Sequence, residues 1–271
     1  MQDIELRKYS PINPILKKLI KFYWIIKSNK ETDVYGKLIP TNNIDLIINL
    51  SSPIKYKNQI KEETFQNSHF SGIQKKYRII QHKGIVDVIG ISFYPTGFYP
   101  FVKVPLSEFT DRIVLAETFL KKLEAKVEKV SEIESDHERI LVIERTLLAY
   151  IDLNLLPEKK IDLLANDLLM YGDSTSINNY CKTHGISQKT LERFFNKYVG
   201  TTPKAFFLTT KFQKLMKSLV MGNSDSMTEI GYEFNYYDQT HFINSFKSFM
   251  GNTPAKQLKE KDLILEYLHK V

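Results

Sequence analysis

The feature that most constrains this chain is a short signature that occurs twice. The sequence reads Gly-Thr-Thr-Pro at residues 200–203 and Gly-Asn-Thr-Pro at residues 251–254, each time after an amphipathic run rich in aromatic residues. A glycine just past a helix adopts the left-handed conformation that ends it, and Thr-Pro supplies a cap and a first residue for the next helix. The signature therefore predicts two similar helical units.

The residues before each signature also align. Cys181 and Gly231 are small, which suits the point where two short helices cross. Gly185 and Asn235 tolerate the positive φ of a tight turn. Ser and Asp are good N-caps, and the apolar residues that follow recur at helical spacing. The positions with a structural role are Cys181, Gly185, Ser187, Leu191, Phe195, Gly200 and Pro203, and then Gly231, Asn235, Asp238, Phe242, Phe246, Gly251 and Pro254.

On these residues, 157–258 resemble the C-terminal domain of AraC/XylS-type transcription regulators. Further matches are Ile177, Ile186, Arg193, Thr202, Ile230, Tyr236, Gln239, Lys247 and Thr253. The resemblance implies a bacterial regulator with two helix-turn-helix units at 156–258, double-stranded DNA as partner, and action on RNA polymerase. Gly231 replaces the usual alanine, which costs roughly 1 kcal/mol. Asn244 replaces a common arginine, which leaves the strength of the second unit's DNA contact open.

Positive charge is concentrated in the same region. The chain has a net charge of +7, and between Lys182 and Lys217 there are eight basic residues and one acid, Glu192, so this stretch alone accounts for the net charge. A local basic field favours a polyanionic partner. A solvated helical face explains the charge alone equally well.

Exposed polar residues of the second helix in each unit are the candidates for contact with base edges. Arginine suits guanine, while glutamine and asparagine suit adenine. The alternative for each residue is a solvated surface position. The candidate base-reading residues are Gln188, Lys189, Glu192, Arg193, Asn196, Gln239, Thr240, His241 and Asn244, and the candidate phosphate contacts are Lys197, Lys204 and Lys247.

The segment between the two units predicts one long helix, with its lysines largely off the apolar stripe. The stripe consists of Phe207, Phe212, Leu215, Met216 and Leu219. About seventeen residues at 1.5 Å each make a rod of roughly 25 Å. Such a rod can place two helices in successive major grooves, roughly 34 Å apart. If the rod is stiff and somewhat short, the DNA must bend.

Residues 1–105 have the pattern of a small β-domain. Apolar runs at 44–50 and 85–93 are bounded by turn residues and predict strands, and an early helix is expected within 13–26. The phrases KLIPTNNIDLIINL, SGIQ and GISFYPTGFYPFVKVPLSEFTD resemble the cupin-like domain that precedes some AraC-type domains. The predicted fold class is α+β, with a small cupin-like β-barrel followed by helices.

After Pro105 the hydrophobic period becomes helical, so residues 106–155 are expected to form a helical connector, with a boundary near 152–157. Its apolar stripes either mediate homodimer formation or pack on the β-domain, and the sequence favours neither arrangement. The stripe residues are Leu115, Phe119, Leu123, Ile140, Ile143 and Leu147. Residues 259–271 are expected to form a helical tail.

A small-molecule effector in the N-terminal domain is an open alternative. The candidate pocket residues Phe93, Tyr94, Phe98 and Tyr99 equally suit a packed core and turn. The sequence lacks the His-x-His pattern of enzymatic cupins, so we expect no metal and no cofactor.

No motif favours an enzyme. Cys181 is the single cysteine and stands where packing needs a small residue. A single cysteine excludes an internal disulfide and suits the reducing cytoplasm. The first residues lack the apolar segment of a signal peptide, and no run reaches the roughly 20 apolar residues of a membrane span. The other alternative is a constitutive DNA-bending protein with a merely structural N-terminal domain.

Overall fold

The computed structural model of this 271-residue chain describes residues 4–156, 165, 177–221 and 238–259. Ten strands lie in the N-terminal part, and the C-terminal part is helical. The strands are β1 (Ile4–Tyr9), β2 (Ile20–Ser28), β3 (Thr32–Leu38), β4 (Asp45–Asn49), β5 (Ile54–Lys57), β6 (Glu62–Phe65), β7 (His69–Ser71), β8 (Arg78–Gly84), β9 (Asp87–Phe93) and β10 (Ile113–Leu115).

The eight α-helices described here comprise one short turn of helix between β9 and β10 and seven helices after β10. The helices are α1 (Tyr99–Val102), α2 (Glu124–Ser131), α3 (Asp136–Leu148), α4 (Ile177–His184), α5 (Gln188–Tyr198), α6 (Pro203–Met221), α7 (Gln239–Met250) and α8 (Pro254–Lys259). Within the described ranges, no helix is long and apolar enough to cross a bilayer.

The strands form two antiparallel sheets. The larger has the order β1-β2-β9-β4-β7-β10, and the smaller has the order β3-β8-β5-β6. The predicted strands at 44–50 and 85–93 correspond to β4 and β9, so the β-rich domain is confirmed. The closed cupin-like barrel is not confirmed, because the described strands form two separate sheets.

The early helix predicted within 13–26 is wrong. Only Leu16–Lys18 make a 3-10 turn, and Ile20–Ser28 form β2, which pairs with β1 on one side and β9 on the other. β-branched and aromatic residues dominate this segment and favour a strand. The helical spacing was ambiguous because a strand buried on both faces also shows a nearly continuous apolar run.

The segment after Pro105 also differs from the prediction. Ile113–Leu115 form the edge strand β10, which pairs with β7, and α2 begins only at Glu124. The sheet therefore continues to Leu115, which lies on a strand rather than on a helical stripe. Pairing with β7, far away in the sequence, supplies the backbone hydrogen bonds that a local helix would otherwise provide.

Helix α3 caps the β-domain. The carboxylate of Glu144 accepts hydrogen bonds from the backbone N–H groups of Ile12 at 2.7 Å and Asn13 at 2.9 Å, which ties the helix to the segment between β1 and β2. Its buried apolar residues are Ile140, Ile143 and Leu147. Of the two alternatives for this stripe, packing on the β-domain is therefore the one that the structure shows.

The C-terminal helices share their cores with the β-domain. Leu191 and Phe195 of α5 belong to the same buried cluster as the face of the larger sheet that α3 covers. Phe212 of α6 and Phe246 of α7 pack in a second cluster that includes Ile39. These shared cores fix the position of the helices against the sheets.

Candidate nucleic-acid interface

The first helix-turn-helix unit consists of α4 and α5. Gly185 makes the turn with φ +62°, and the Ser187 hydroxyl caps α5 by accepting a hydrogen bond from the Thr190 N–H at 3.1 Å. Leu191 is buried, as predicted. Cys181 is also buried, and burial raises the pKa of its thiol, which agrees with a packing role rather than a reactive one.

The outward face of α5 carries the residues predicted to read bases. Gln188, Lys189, Glu192 and Arg193 are exposed, and Asn196 is half-buried. Their spacing places them on one side of the helix, opposite Leu191 and Phe195. The Gln188 side chain donates a hydrogen bond to Asn178 of α4. This face is therefore polar, open to solvent and supported by a buried apolar face.

The described part of the second unit repeats this arrangement in α7. Asp238 accepts a hydrogen bond from the His241 N–H at 2.6 Å, and Gly251 ends the helix with φ +73°. Phe242 and Phe246 are buried. The candidate base-reading residues Gln239, Thr240, His241 and Asn244, and the phosphate candidate Lys247, are all exposed.

Some predicted positions lie outside the described residues. They include Gly231 and Asn235 of the second unit, with Ile230 and Tyr236, and the tail from 260 onward. Their predicted roles stay predictions.

Helix α6 follows the first unit as one helix of 19 residues. Phe212, Leu215 and Met216 of the predicted stripe are buried, Phe207 is half-buried, and the side chain of Leu219 lies outside the described residues. Of the lysines predicted to lie largely off the stripe, Lys211 is buried, Lys214 is half-buried and Lys217 is exposed.

The two remaining phosphate candidates have different surroundings. Lys204 is exposed at the start of α6. The ammonium group of Lys197 lies 5.4 Å from the ring centre of Tyr99 and 4.9 Å from that of Tyr198. Hydrogen bonds with Tyr198 and Tyr99 raise the pKa of Lys197. In this structure Lys197 thus contacts the β-domain.

The aromatic residues proposed for a ligand pocket are packed together. Phe93, Phe98 and Tyr99 are at most 5% exposed and belong to the main core, while Tyr94 is half-buried. The rings of Phe93 and Phe98 lie 5.1 Å apart. These residues therefore form a packed core and turn, which was the other interpretation of the aromatic run. The short helix α1 places their rings against the larger sheet.

A cavity of about 420 Å³ lies elsewhere, between the two sheets. Trp24 and Ile47 line it from the larger sheet, and Leu38 and Ile80 from the smaller. A Cβ atom at Gly90 would lie 1.8 Å from the ring of Trp24, so the missing side chain makes room for the indole. This volume is in the range of small-molecule sites.

Four lysines line one part of this cavity. Lys8 and Lys21 come from β1 and β2, and Lys214 and Lys217 from α6. Burial, together with the nearby ammonium groups of Lys21 and Lys217, lowers the pKa of Lys8. Sequence reasoning missed this group. Lys21 interrupts the apolar residues of β2, which was the available signal. Nothing in the local sequence indicates that β1 and α6 add their lysines to it.

His69 and His82 are buried, and His82 lines the cavity. Burial lowers the pKa of His69 to about 4, and its Nε2 lies 2.8 Å from the Tyr56 hydroxyl oxygen. Burial also lowers the pKa of His82. Among the residues that the structure describes, no group of three or more His, Cys, Asp or Glu side chains is arranged to hold a metal ion.

Residues 180–260 match a family model described as a helix-turn-helix domain. The chain is similar to the uncharacterized HTH-type transcriptional regulator YidL of Escherichia coli, with 32% identity over 87 residues, which are 32% of this chain and 29% of that protein. It is also similar to the XylDLEGF operon transcriptional activator 3 of Pseudomonas putida, with 24% identity over 92 residues, 33% of this chain and 28% of that protein.

These similarities support the resemblance of residues 180–260 to helix-turn-helix domains of the AraC/XylS type. The chain spans less than a third of the length of these curated relatives. Residues 7–115 match a model described as a domain of unknown function. Among solved structures, ToxT from Vibrio cholerae aligns with 95% of this chain and 98% of its own at 10% identity and a TM-score of 0.46.

The helix-turn-helix region contacts the β-domain at both signature turns. The Thr110 hydroxyl donates a hydrogen bond to the carbonyl of Gly200. The Tyr77 N–H donates to the carbonyl of Phe249, two residues before Gly251, at 2.8 Å. These contacts involve the C-terminal ends of α5 and α7, so the polar faces of both helices stay open.

Proposed function

We propose that this chain is a sequence-specific DNA-binding transcription regulator that places α5 and α7 in two adjacent major grooves and acts in the cytoplasm on RNA polymerase. One observation carries the proposal. Two helices of related sequence, α5 and α7, are each capped by a side chain and buried on one face, and each presents a polar face to solvent.

The residues of α5 suit direct readout of base edges. Arg193 is exposed in the middle of the helix and can donate two hydrogen bonds to guanine. Gln188, near the N-terminus of α5, suits adenine, and Glu192 can accept from cytosine or orient Arg193. On α7, Gln239 and Asn244 offer the corresponding contacts. The lysines at 204 and 247 suit phosphates, which add affinity without base preference.

The length of α6 favours bending of the DNA. Nineteen residues span about 28 Å at 1.5 Å per residue, whereas successive major grooves on one side of straight B-DNA are roughly 34 Å apart. A duplex curved toward the protein brings the grooves closer.

Selection of bound fragments from random DNA, followed by footprinting, tests this function. We expect enrichment of sites with two protected patches one helical turn apart. Lys121→Ala is a matched control, because it removes an exposed positive charge outside the helical domain. A chain that enriches no sequence, or protects a single patch, contradicts the proposal.

The cavity supports a second proposal, control by a small molecule, against the alternative of a constitutive DNA-bending protein. We infer that the effector is an anionic amphiphile. Most of the cavity wall is apolar, which suits a hydrocarbon or aromatic body. Ammonium groups from three elements gather at one part of the wall, and an anion between them relieves their mutual repulsion.

The effector would act through α6. Gln213, Lys214 and Lys217 of this helix line the cavity, and the same helix joins the two reading units. A ligand that contacts both the larger sheet and α6 stabilises one arrangement of sheet and helix over others. If these arrangements differ in their affinity for DNA, the ligand changes that affinity by favouring one of them.

Thermal unfolding of the full chain with decanoate, and with decanol at the same concentration, tests the charge preference. We expect a larger rise in Tm with the acid, and loss of the difference in Lys21→Met and Lys217→Met. Lys83→Met is a control, because this exposed lysine of β8 does not line the cavity. Equal responses to acid and alcohol contradict an anion site, and no response to either favours the constitutive protein.

A further inference from the structure

A row of polar side chains crosses the larger sheet inside the cavity. Asp45 of β4 pairs with Ser92 of β9 on one side and with Ser71 of β7 on the other. Residues directly opposite one another in paired strands have side chains on the same face. All three line the cavity, so the row forms a polar strip in a wall that is otherwise mostly apolar.

The carboxylate of Asp45 is held in place by fewer hydrogen bonds than it can accept. It accepts a hydrogen bond from the Asn43 side chain at 2.7 Å and another from the Ser92 hydroxyl. Burial raises the pKa of Asp45 to about 6, against the opposing effects of Ser92, Asn43 and the nearby ammonium group of Lys21. A carboxylate can accept about four hydrogen bonds, so it retains the capacity to accept from a ligand.

A second acceptor lies at the end of the same strip. The amide nitrogen of Gln74 donates to the Ser71 hydroxyl at 3.1 Å, which directs its Oε1 away from that partner. This oxygen is buried and has no hydrogen-bond partner among the described residues, and Gln74 is 7% exposed. A buried acceptor without a partner is unfavourable, and a donor from a ligand would satisfy it.

The carboxylate also poses a problem for the anion site. Asp45 lies close enough to Lys21 for their charges to interact, so it repels a bare anion bound among the lysines. A ligand that brings its own donor next to the anion converts this repulsion into a hydrogen bond. The donor should be neutral, because an ammonium group on the ligand would be repelled by the four lysines.

We propose that Asp45 and Gln74 form a hydroxyl-recognition subsite, so that the preferred effector is a hydroxylated acid with an apolar body rather than an unsubstituted acid. The ligand hydroxyl donates to a carboxylate oxygen of Asp45 or to Oε1 of Gln74, while the lysines hold the acid group. This inference rests on the proposed control by an anionic amphiphile.

Calorimetric titration of the full chain with decanoate, 2-hydroxydecanoate and 3-hydroxydecanoate tests the subsite. We expect one of the hydroxy acids to bind about tenfold more tightly than decanoate, as for a hydrogen bond to a charged group. Asp45→Asn and Gln74→Met should bring this ratio close to one. Gln213→Met is the matched control, because it changes another cavity glutamine outside the strip and should keep the ratio.

Each outcome separates the two proposals. If the wild-type chain binds decanoate as tightly as both hydroxy acids, the subsite is overturned while the anionic effector stands. If no acid binds, both fall. A ratio that survives both substitutions also overturns the subsite. Should Asp45→Asn fail to fold, Gln74→Met decides the matter, because methionine has nearly the same volume and removes only the amide.

Discussion

The described helices of the two predicted units, α5 and α7, have the same local plan, a side-chain cap at the start and a glycine with positive φ at the end, but different neighbours. In the first, Leu191 and Phe195 enter the core that also holds the larger sheet and α3. In the second, Phe242 and Phe246 pack in a smaller cluster to which the β-domain contributes Ile39. The repeated signature thus specifies the local turn and cap, while the surrounding chain decides how strongly each unit is attached to the β-domain.

The reading faces differ as well. The outward face of α5 carries two permanent cations, Lys189 and Arg193, whereas the candidate base-reading residues of α7 include none. Since positive charge supplies much of the affinity for DNA, we expect the first unit to dominate binding. The second unit then mainly sets the length of the recognised site.

The largest expected effect comes from placing a charge in the shared core. Leu191→Asp should lower the free energy of unfolding by more than about 3 kcal/mol, because an unpaired carboxylate would replace a buried leucine. Trp24, the single tryptophan, lies in β2 and reports on the β-domain. When unfolding in urea is followed by this fluorescence, the midpoint of the transition should fall strongly for Leu191→Asp and less for Phe242→Asp.

The exposed Lys189→Asp is the control for that comparison, since it places the same carboxylate on the other face of α5. A native-like transition for Leu191→Asp would contradict the inward position of this residue. Equal shifts for Leu191→Asp and Phe242→Asp would show that the two clusters are coupled as one core.

The signature glycines offer a second comparison. A Cβ atom at Gly200 would lie 2.7 Å from the backbone carbonyl oxygen of Leu106, and one at Gly251 would lie 2.4 Å from the ring of Tyr77. A ring can turn away more easily than a backbone can move. We therefore expect Gly200→Ala to destabilise the chain by about 2–4 kcal/mol, the sum of a left-handed backbone and overpacking, and Gly251→Ala by less.

Gly185→Ala isolates the backbone contribution, because this glycine also has positive φ but no atom lies within 4 Å of its ideal Cβ position. It should cost about 1–2 kcal/mol. Thermal or urea unfolding measures all three variants. If Gly200→Ala costs no more than Gly185→Ala, the close contact with Leu106 contributes nothing.

The variants Arg193→Ala and Asn244→Ala compare how much the outward faces of α5 and α7 contribute to DNA binding. Loss of Arg193 should weaken binding to the selected site by about 1–3 kcal/mol and relax the base preference at one position. Loss of Asn244 should cost less than about 1 kcal/mol, because a neutral side chain forms weaker hydrogen bonds. Competition with single-base variants of the site measures both, and unchanged base preference for Arg193→Ala would refute direct readout.

The smallest expected effect concerns the phosphate lysines. Lys204→Ala should weaken binding to all duplexes alike and reduce the slope of log affinity against log salt by about one. Lys197→Ala should have the same kind of effect but a smaller one, because its ammonium group already contacts Tyr99 and Tyr198. Weakening confined to a single DNA sequence would show base contact instead.

Much of the candidate interface was predictable from local sequence. The caps at Ser187 and Asp238, the positive φ of Gly200 and Gly251 and the burial of Leu191 all depend on residues within a few positions of each other. The strand β2 was not predictable in this way, because the residues of β9 with which it pairs lie at least sixty positions away. The same apolar residues satisfy a helical and a strand pattern until that partner is known.

The cavity was not predictable from local sequence either, because its lining residues come from distant segments. Lys8, Asp45 and Lys217 come from β1, β4 and α6, and no spacing in the sequence relates them. Their meeting depends on the register of the larger sheet and on the docking of α6. The aromatic run that was conspicuous in the sequence, around Phe98, became core instead, since a cluster of large apolar rings is more stable buried than lining an open site.

By itself, the sequence determined the caps and ends of α5 and α7, the turn at Gly185 and the charged outward face of α5, because these features are satisfied within single helices and the turns beside them. The tertiary structure alone decided that both helices share cores with a two-sheet domain and that a cavity with lysines and a polar strip lies beside α6. The physical reason is that backbone pairing and burial between distant segments depend on partners that no local pattern specifies.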